Sequence, residues 1–224
     1  MLISATSDLD IFNGKTEEFW KYMKNAKKPD LLLLAGDITV YSRLEDYKTF
    51  LKLVERKKWK CPIIGIFGNR EFQQDFNKFR KLKQIKFLND EKIILKIKDK
   101  NIGIVGTRGS LDKPTWWQLK NVRGIRKIYL DRIKKIERLL RELKTDIRIL
   151  LMHYAPTYKT LEGEDPKVYG SLGCEKFEQV VINTKPNFVI HGHAHYGIPK
   201  ANLDSIPIHN VCVSVNKKIV EIKV

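Results

Sequence analysis

Five times along the chain a continuous apolar run stops abruptly at an acidic, amide or imidazole side chain. LISATSD stops at Asp8, LLLLAGD at Asp37, IIGIFGN at Asn69, IRILLMH at His153 and FVIHGH at His193. Short runs of this kind, without polar alternation, read as strands buried on both faces. Between them lie amphipathic stretches. Residues 15–26, 43–58 and 173–184 carry apolar residues at three- and four-residue spacing. The pattern is strongest over 125–144, where Ile125, Ile128, Ile133, Ile136, Leu140 and Leu143 share one face and the other is mostly Lys and Arg. Strand, helix, strand in this order predicts an α/β domain. Three later runs, KIILKI, IGIVGT and IPIHNVCVSV, add strands without an obvious crossover helix after each. Two packed sheets with helices outside accommodate them all.

The strand ends matter together. In open α/β sheets, ligands bind outside the carboxyl ends of the strands. One polar residue after a strand is ordinary turn chemistry; five drawn from Asp, Asn and His point to one site. Asp10 and His195 each stand two residues beyond a strand-end residue and enlarge the set to three carboxylates, one amide oxygen and three imidazoles. Of the five histidines in the chain, three are crowded into HGHAH, residues 191–195, with only Gly192 and Ala194 between them. Neutral imidazole is the commonest metal ligand. Mixed nitrogen and oxygen donors suit Mn, Fe, Zn, Ni or Co better than Ca or Mg. Seven protein ligands are too many for one tetrahedral site. They suit two ions about 3.5–4 Å apart that share a carboxylate, the arrangement that clamps the attacking and leaving oxygens of a phosphoryl displacement. The expected reaction is hydrolysis of a phosphate ester by metal-bound hydroxide.

The ordered motifs SDLD, AGD, GNRE, MHY and GHAH, from residue 7 to residue 195, resemble the calcineurin-like metallophosphoesterases. The pattern of that family runs D-x-H, G-D, G-N-H-D/E, a later H, then G-H-x-H. The resemblance spans nearly the whole chain. It implies a four-layer αββα sandwich of two mixed β-sheets flanked by helices, formed as one domain over residues 1–224. It also implies a phosphate-ester substrate and two divalent ions, with Mn the first expectation and Fe, Zn, Ni or Co the alternatives. Carried over by position, Asp8, Asp10 and His195 hold the first ion, Asp37 bridges, and Asn69, His153 and His193 hold the second. Gly192 and Ala194 then leave room for His193 and His195 to reach different ions from one tight turn. His191 lies just outside the pattern and is expected behind the ligands or facing the substrate. Two positions depart from the family. Asp10 replaces a histidine with a hard anionic ligand, which favours Mn or Fe. Arg70 stands where the family has its general-acid histidine. A guanidinium keeps its proton at any usable pH, so its role at a catalytic position is to bind phosphoryl oxygens. Arg70 also leaves a second function class open, a catalytically weak scaffold of the same fold that binds a protein partner; the seven ligand positions speak against it.

Charge bears on the partner rather than on the fold. The formal net charge is +17, and much of the excess lies in residues 78–100, with nine Lys or Arg against three acids, and 113–148, with twelve against four. It is spread over helix faces. A nuclease is therefore an alternative that is not favoured, and compositional bias in a chain with 32 Lys and 25 Ile is the simpler account. The cysteines, Cys61, Cys174 and Cys212, form no CxxC and no disulfide framework; Cys61 and Cys212 read as small buried hydrophobes. No apolar run approaches the eighteen or so residues of a membrane span, and the N-terminal residues lack signal-peptide features, so a cytoplasmic location is expected. Nothing encodes the oligomeric state. Walker-type, dinucleotide-binding, HExxH and GxSxG motifs are absent. The loop 106–124 carries Arg108, Trp116 and Trp117, which either grip a phosphate and a base or plug the core; the plug is the favoured expectation. The segment 153–173 leaves a proposed ligand as a long loop, placed to shape a substrate mouth.

Overall fold

The structure is a computed structural model that describes residues 1–11 and 16–224. Among these residues eleven strands form two sheets. In chain order the strands are β1 (Leu2–Thr6), β2 (Leu31–Leu34), β3 (Ile63–Ile66), β4 (Ile85–Leu88), β5 (Glu91–Ile97), β6 (Lys100–Thr107), β7 (Ile147–Met152), β8 (Phe188–His191), β9 (Lys200–Leu203), β10 (Ile206–Asn210) and β11 (Val220–Lys223). The first sheet has the order β11-β1-β2-β3-β4 and the second β5-β6-β7-β8-β10-β9. Within each, the central strands run parallel, and three of the four edge strands are antiparallel to their neighbours, β11 on β1, β5 on β6, and β9 on β10, while β4 is parallel to β3. The three runs without an obvious crossover helix are the edge strand β5, its antiparallel neighbour β6, and β10, whose run continues into the strand end at Cys212.

The helices are α1 (Glu17–Met23), α2 (Leu44–Arg56), α3 (Phe76–Phe79), α4 (Trp116–Asn121), α5 (Ile125–Glu142), α6 (Tyr169–Leu172), α7 (Lys176–Thr184) and α8 (Val213–Asn216). The first three pack outside the first sheet, while α5 and α7 pack outside the second. Side chains alternate across each strand, which explains why the runs are continuously apolar. Leu31 and Leu33 face the second sheet, and Leu32 and Leu34 face the helices. In β7, Ile147, Ile149 and Leu151 point into the space between the sheets, while Leu150 and Met152 meet α5 and α7. The interior between the sheets is thus a layer of aliphatic residues, Ile3, Ile64, Ile66, Ile102, Ile104 and Ile190 among them. This is the expected four-layer αββα sandwich of two mixed sheets.

The helices are shorter than the periodicity suggests. The stretch 15–26 narrows to Glu17–Met23, and residue 15 lies outside the described residues. On the expected face of α5, Ile125, Ile136 and Leu140 are buried and Leu143 is buried just past the helix end, but Ile128 is exposed beside the N-terminal turns. No helix among the described residues is long and apolar enough to cross a membrane.

Candidate metal centre

Six parallel strands deliver their carboxyl ends to one edge of the sandwich. From the first sheet, β1 leads to Asp8, β2 to Asp37 and β3 to Asn69; from the second, β7 leads to His153, β8 to His193 and His195, and β10 to Cys212. The sheets are joined there by backbone bonds from Ser7 N to Val211 O and from Val213 N to Ser7 O, both 3.2 Å. Asp8, Asp10, Asp37 and His193 all have left-handed backbone, with φ of 55°, 49°, 52° and 69°. Asp and His are among the residues that tolerate this region best, at a modest cost that the surrounding structure must offset. The constraint on His193 is visible: its N–H donates to Asp8 Oδ2 at 2.9 Å. Gly192 is small for a related reason, because a Cβ there would stand 2.5 Å from Asp8 Oδ2. The spacer therefore makes room for Asp8 to approach the turn, which adds to the sequence expectation that it frees the histidines.

Glu71, part of the GNRE motif but given no role by the sequence pattern, is fully buried and organises the first sheet's half of the edge. Its carboxylate accepts from Asp37 N and Ile38 N at 2.9 Å, from Gly68 N at 2.7 Å and from Tyr47 Oη at 3.1 Å. The loops after β2 and β3 are thereby held to one anchor. Gly68 lies so close that a Cβ would fall 2.7 Å from the Asp37 carboxyl carbon.

Two groups of candidate ligands converge. The ligand atoms of Asp8, Asp37, His153 and His193 all lie within 4.8 Å of one another, and so do those of Asp8, His195 and Cys212. Asn69 joins the first group, with Oδ1 2.8 Å from His153 Nε2. His153 Nδ1 donates to Ala35 O at 2.8 Å, and burial pushes the His153 pKa down to about 4. The ring is therefore neutral, its one proton is on Nδ1, and Nε2 turns a lone pair toward Asn69 Oδ1 and toward Asp37 Oδ2 at 3.5 Å. Three side-chain donors that converge in this way fit a cation. Burial likewise lowers His193, to about 3. It raises Asp37 well above the usual carboxylate range, helped by the charges of Glu71 and Asp8. Burial acts against the Asp8 carboxylate too, but contact with His195 outweighs it and holds the pKa well below normal. His195 is 3.4 Å from Asp8 Oδ1, and its contacts with Asp8 and then Cys212 push its pKa up to about 11. Asp8 Oδ1 and Asp10 Oδ1 are buried without a hydrogen bond, and their nearest charges are His195 at 3.4 Å and Arg70 at 3.3 Å. Clustered buried carboxylates are costly, and a divalent ion is a charge that would relieve them.

The structure places the other expected residues as follows. Asp10 belongs to neither group; Arg70 Nε lies 3.3 Å from its Oδ1 and 3.6 Å from Asp37 Oδ2. Arg70 N also donates to Asp37 Oδ1 at 2.8 Å. Asp8 is the carboxylate common to both groups of ligand atoms; Asp37, the expected bridge, lies in the first group and is also engaged by Arg70. The Arg70 side chain is 35% exposed, at the mouth of the site. His191 departs from a substrate-facing role. It is 0% exposed, its Nδ1 donates to Gly192 O at 2.8 Å and its Nε2 has no partner. Its place is behind the ligands.

Cys212, a small buried hydrophobe on the sequence reading, is buried, but among charged groups. The rule that finds the other strand-end residues applies to it too, since it follows the end of a sixth parallel strand; the apolar letters around it hide the signal. The plug expected of Trp116 and Trp117 does not form: they are 72% and 62% exposed. A capping box explains the local geometry. Thr115 Oγ1 accepts from Gln118 N at 3.3 Å while Gln118 Oε1 accepts from Thr115 N at 2.9 Å, which starts α4 and turns both indoles outward. Trp117 instead borders a cavity of about 530 Å³ together with Asn69, Arg108, Ile128, Tyr129 and Arg132. In the 153–173 segment, Tyr154 is buried and Tyr158 donates to Asp112 Oδ2 at 3.0 Å, so both serve packing.

Comparison with known proteins agrees with this geometry. None of the functionally curated proteins matches the chain in sequence. In structure it is similar to a phosphopantetheinyl hydrolase from Mycobacterium tuberculosis, at 14% identity, TM-score 0.68, and 97% and 95% coverage of the two chains. It is similar to the protein TT1561 of Thermus thermophilus, at 16% identity, TM-score 0.60, and 99% and 98% coverage. It is also similar to a putative 5'-nucleotidase from Staphylococcus aureus, at 13% identity, TM-score 0.55, and 93% and 48% coverage. At such identities these likenesses concern the fold. The family pattern of the calcineurin-like phosphoesterases matches residues 1–197, a span that opens before Asp8 and closes after His195. With the ligand positions inside that match, the chain belongs to the calcineurin-like phosphoesterases and is a metal-dependent phosphoester hydrolase.

Proposed function

We propose that the protein hydrolyses a phosphate mono- or diester with two divalent ions held at the strand ends. The observation that carries this reading is the pair of ligand groups that share Asp8. Asp37, Asn69, His153 and His193 would hold one ion beside Asp8, and their mixed oxygen and nitrogen donors suit Mn or Fe. His195 would hold the other, with Asp10 close by. Bound ions would supply Lewis acidity and an activated water.

The chain's own residues do the rest. Glu71 and Gly68 fix the Asp37 loop, and the neutral His153 and His193 present lone pairs without first losing a proton. Arg70 is carried at the mouth by Asp10 and Asp37, within reach of an incoming phosphoryl group. It stabilises negative charge there and donates no proton to the leaving oxygen. Substrates whose leaving oxygen is already a weak base, such as aryl esters and phosphoanhydrides, are therefore favoured. The cavity beside Asn69, with Trp117, Tyr129 and Arg108, accommodates the leaving group. Nucleic acid is not favoured. On α5, Lys127 pairs with Asp131, Arg138 with Glu142 and Arg141 with Glu137, so this basic face is partly neutralised.

The test is metal analysis of purified protein, followed by a phosphate-ester screen after reconstitution with Mn, Fe, Zn, Ni or Co. Two ions per chain and metal-dependent hydrolysis are expected. A maximum of one ion per chain under saturation with every one of these metals, singly and in mixture, would defeat the dinuclear reading.

A further inference from the structure

Cys212 sits where a thiol has no structural reason to be. It is 0% exposed, yet its neighbours are the Asp8 carboxylate and the His195 imidazole rather than an aliphatic core. The ligand atoms of the three lie within 4.8 Å of one another, so a single ion can stand within about 2.8 Å of all three, near the bond lengths of about 2.0–2.3 Å that zinc makes to O, N and S. Asp8 Oδ1, nine-tenths buried and more, faces this space with no hydrogen bond.

The cysteine is also held in position. Its N–H donates to Asn210 Oδ1 at 3.1 Å, and Asn210 Nδ2 reaches across to Ala194 O at 2.9 Å, in the HGHAH turn. Ser214 Oγ lies 3.1 Å from the sulfur and donates to His195 O at 2.8 Å. The Cys212 and His195 segments are thus braced against each other, as ligands of one ion must be. Meanwhile Asp10, at the position where the family pattern has a histidine ligand, is paired with Arg70 and lies outside the group.

We propose that Cys212 is a metal ligand. Its Sγ, as thiolate, joins Asp8 and His195 on one ion of the centre and takes the place left by the missing histidine. The proposal rests on the metal-centre reading above. On binding, the Sγ–H bond breaks, the proton passes to solvent and a sulfur–metal bond forms. A thiolate makes this half of the centre prefer a softer ion such as Zn or Co, while the half with Asp37, Asn69 and two histidines retains the harder Mn or Fe. The resident centre is then mixed.

Metal-free full-length protein titrated with Co(II) tests this without reference to turnover. Binding should produce a near-ultraviolet sulfur-to-cobalt charge-transfer band. The band should persist in Cys61→Ser and Cys174→Ser and vanish in Cys212→Ser, whose Co(II) affinity should fall by about a hundredfold, at the upper end of what loss of an orienting partner costs. X-ray absorption of the Zn-loaded parent needs no variant and should show one sulfur neighbour at about 2.3 Å. If Co(II) and Zn bind at two per chain with no sulfur neighbour, Cys212 is not a ligand and the metal centre stands. If neither ion binds, the centre and the ligand assignment both fail.

Discussion

The two halves of the centre are built of different material. Around Asp37 the donors include two fully desolvated imidazoles: His153 and His193 are kept neutral, and the His153 proton is donated to a backbone carbonyl, while Asn69 reaches the surface. Around His195 the partners Asp8 and Cys212 are buried and the His195 side chain is 31% exposed; contact first with Asp8 and then with Cys212 holds its imidazole protonated. One half is ready for a cation, while the other must first release protons. The departures from the family pattern, Asp10 and Arg70, lie at the mouth, and the thiol lies buried beneath, beside His195. The lesson is that immediate neighbours set a ligand's protonation: desolvation strips the proton from His153 and His193, while contact with a carboxylate keeps one on His195.

The sharpest way to break this comparison is to remove the carboxylate common to both halves. Asp8→Asn should empty both and abolish hydrolysis, a loss of at least about 10³-fold, the upper end for removal of one preorganised electrostatic contact. Asp37→Asn should be as inactive but should keep the ion at His195. Plasma emission analysis of metal content, read beside kcat, separates the two. Equal metal loss in both variants would mean that Asp37, not Asp8, joins the halves.

Arg70 comes next. In the parent, rates should rise steeply as the leaving group becomes less basic, with alkyl esters slower than aryl esters by about 10²–10⁴-fold, the usual worth of a missing acid. Arg70→His should flatten that dependence. A parent that cleaves both classes equally fast, together with an unchanged Arg70→Ala, removes any role for the guanidinium.

Glu71→Gln sharpens the contrast from the Asp37 side. The amide turns a donor toward backbone N–H groups that now have a carboxylate, at a cost of about 2–3 kcal/mol. Thermal denaturation should show the loss, and metal binding should weaken at His153 while the His195 half is spared.

The smallest effect is a pH dependence of opposite sign in the two halves, measured on metal-free protein. His153, His191 and His193 have folded pKa values near 4, 4 and 3, below the unfolded value of 6.5. Between about 6.5 and 4 the unfolded chain binds more protons, so stability falls as pH drops through this window. His195, raised to about 11, contributes below 6.5 and loses its contribution as pH climbs toward 11. His195→Gln should therefore flatten the alkaline limb of the melting profile and leave the acid limb alone.

The layers are legible in the sequence because strands buried on both faces have no alternative to continuous apolar runs, as in LLLL and IRILLM. The ligand positions are legible because each stands just past such a run. Cys212 escapes because its own letter is apolar in character, and Glu71 because a buried acid that binds only backbone looks like any motif residue. Trp116 and Trp117 turn outward against expectation, since composition gives no direction in a loop and there the capping box decides it. The burial of His191 depends on how two sheets abut, which no single segment encodes.

The strand ends also divide by sheet. Every oxygen donor of the two groups, Asp8, Asp37 and Asn69, hangs from the first sheet, and every nitrogen or sulfur donor, His153, His193, His195 and Cys212, from the second. An ion bound between them is a rivet across a seam. The aliphatic layer resists pulling the sheets apart but offers little grip against sliding, since its contacts have no direction. Coordination bonds do have direction. Chelation should therefore release a shearing motion concentrated at one rim, seen as faster amide exchange after β1 and β8 while the middles of β2 and β7 stay protected.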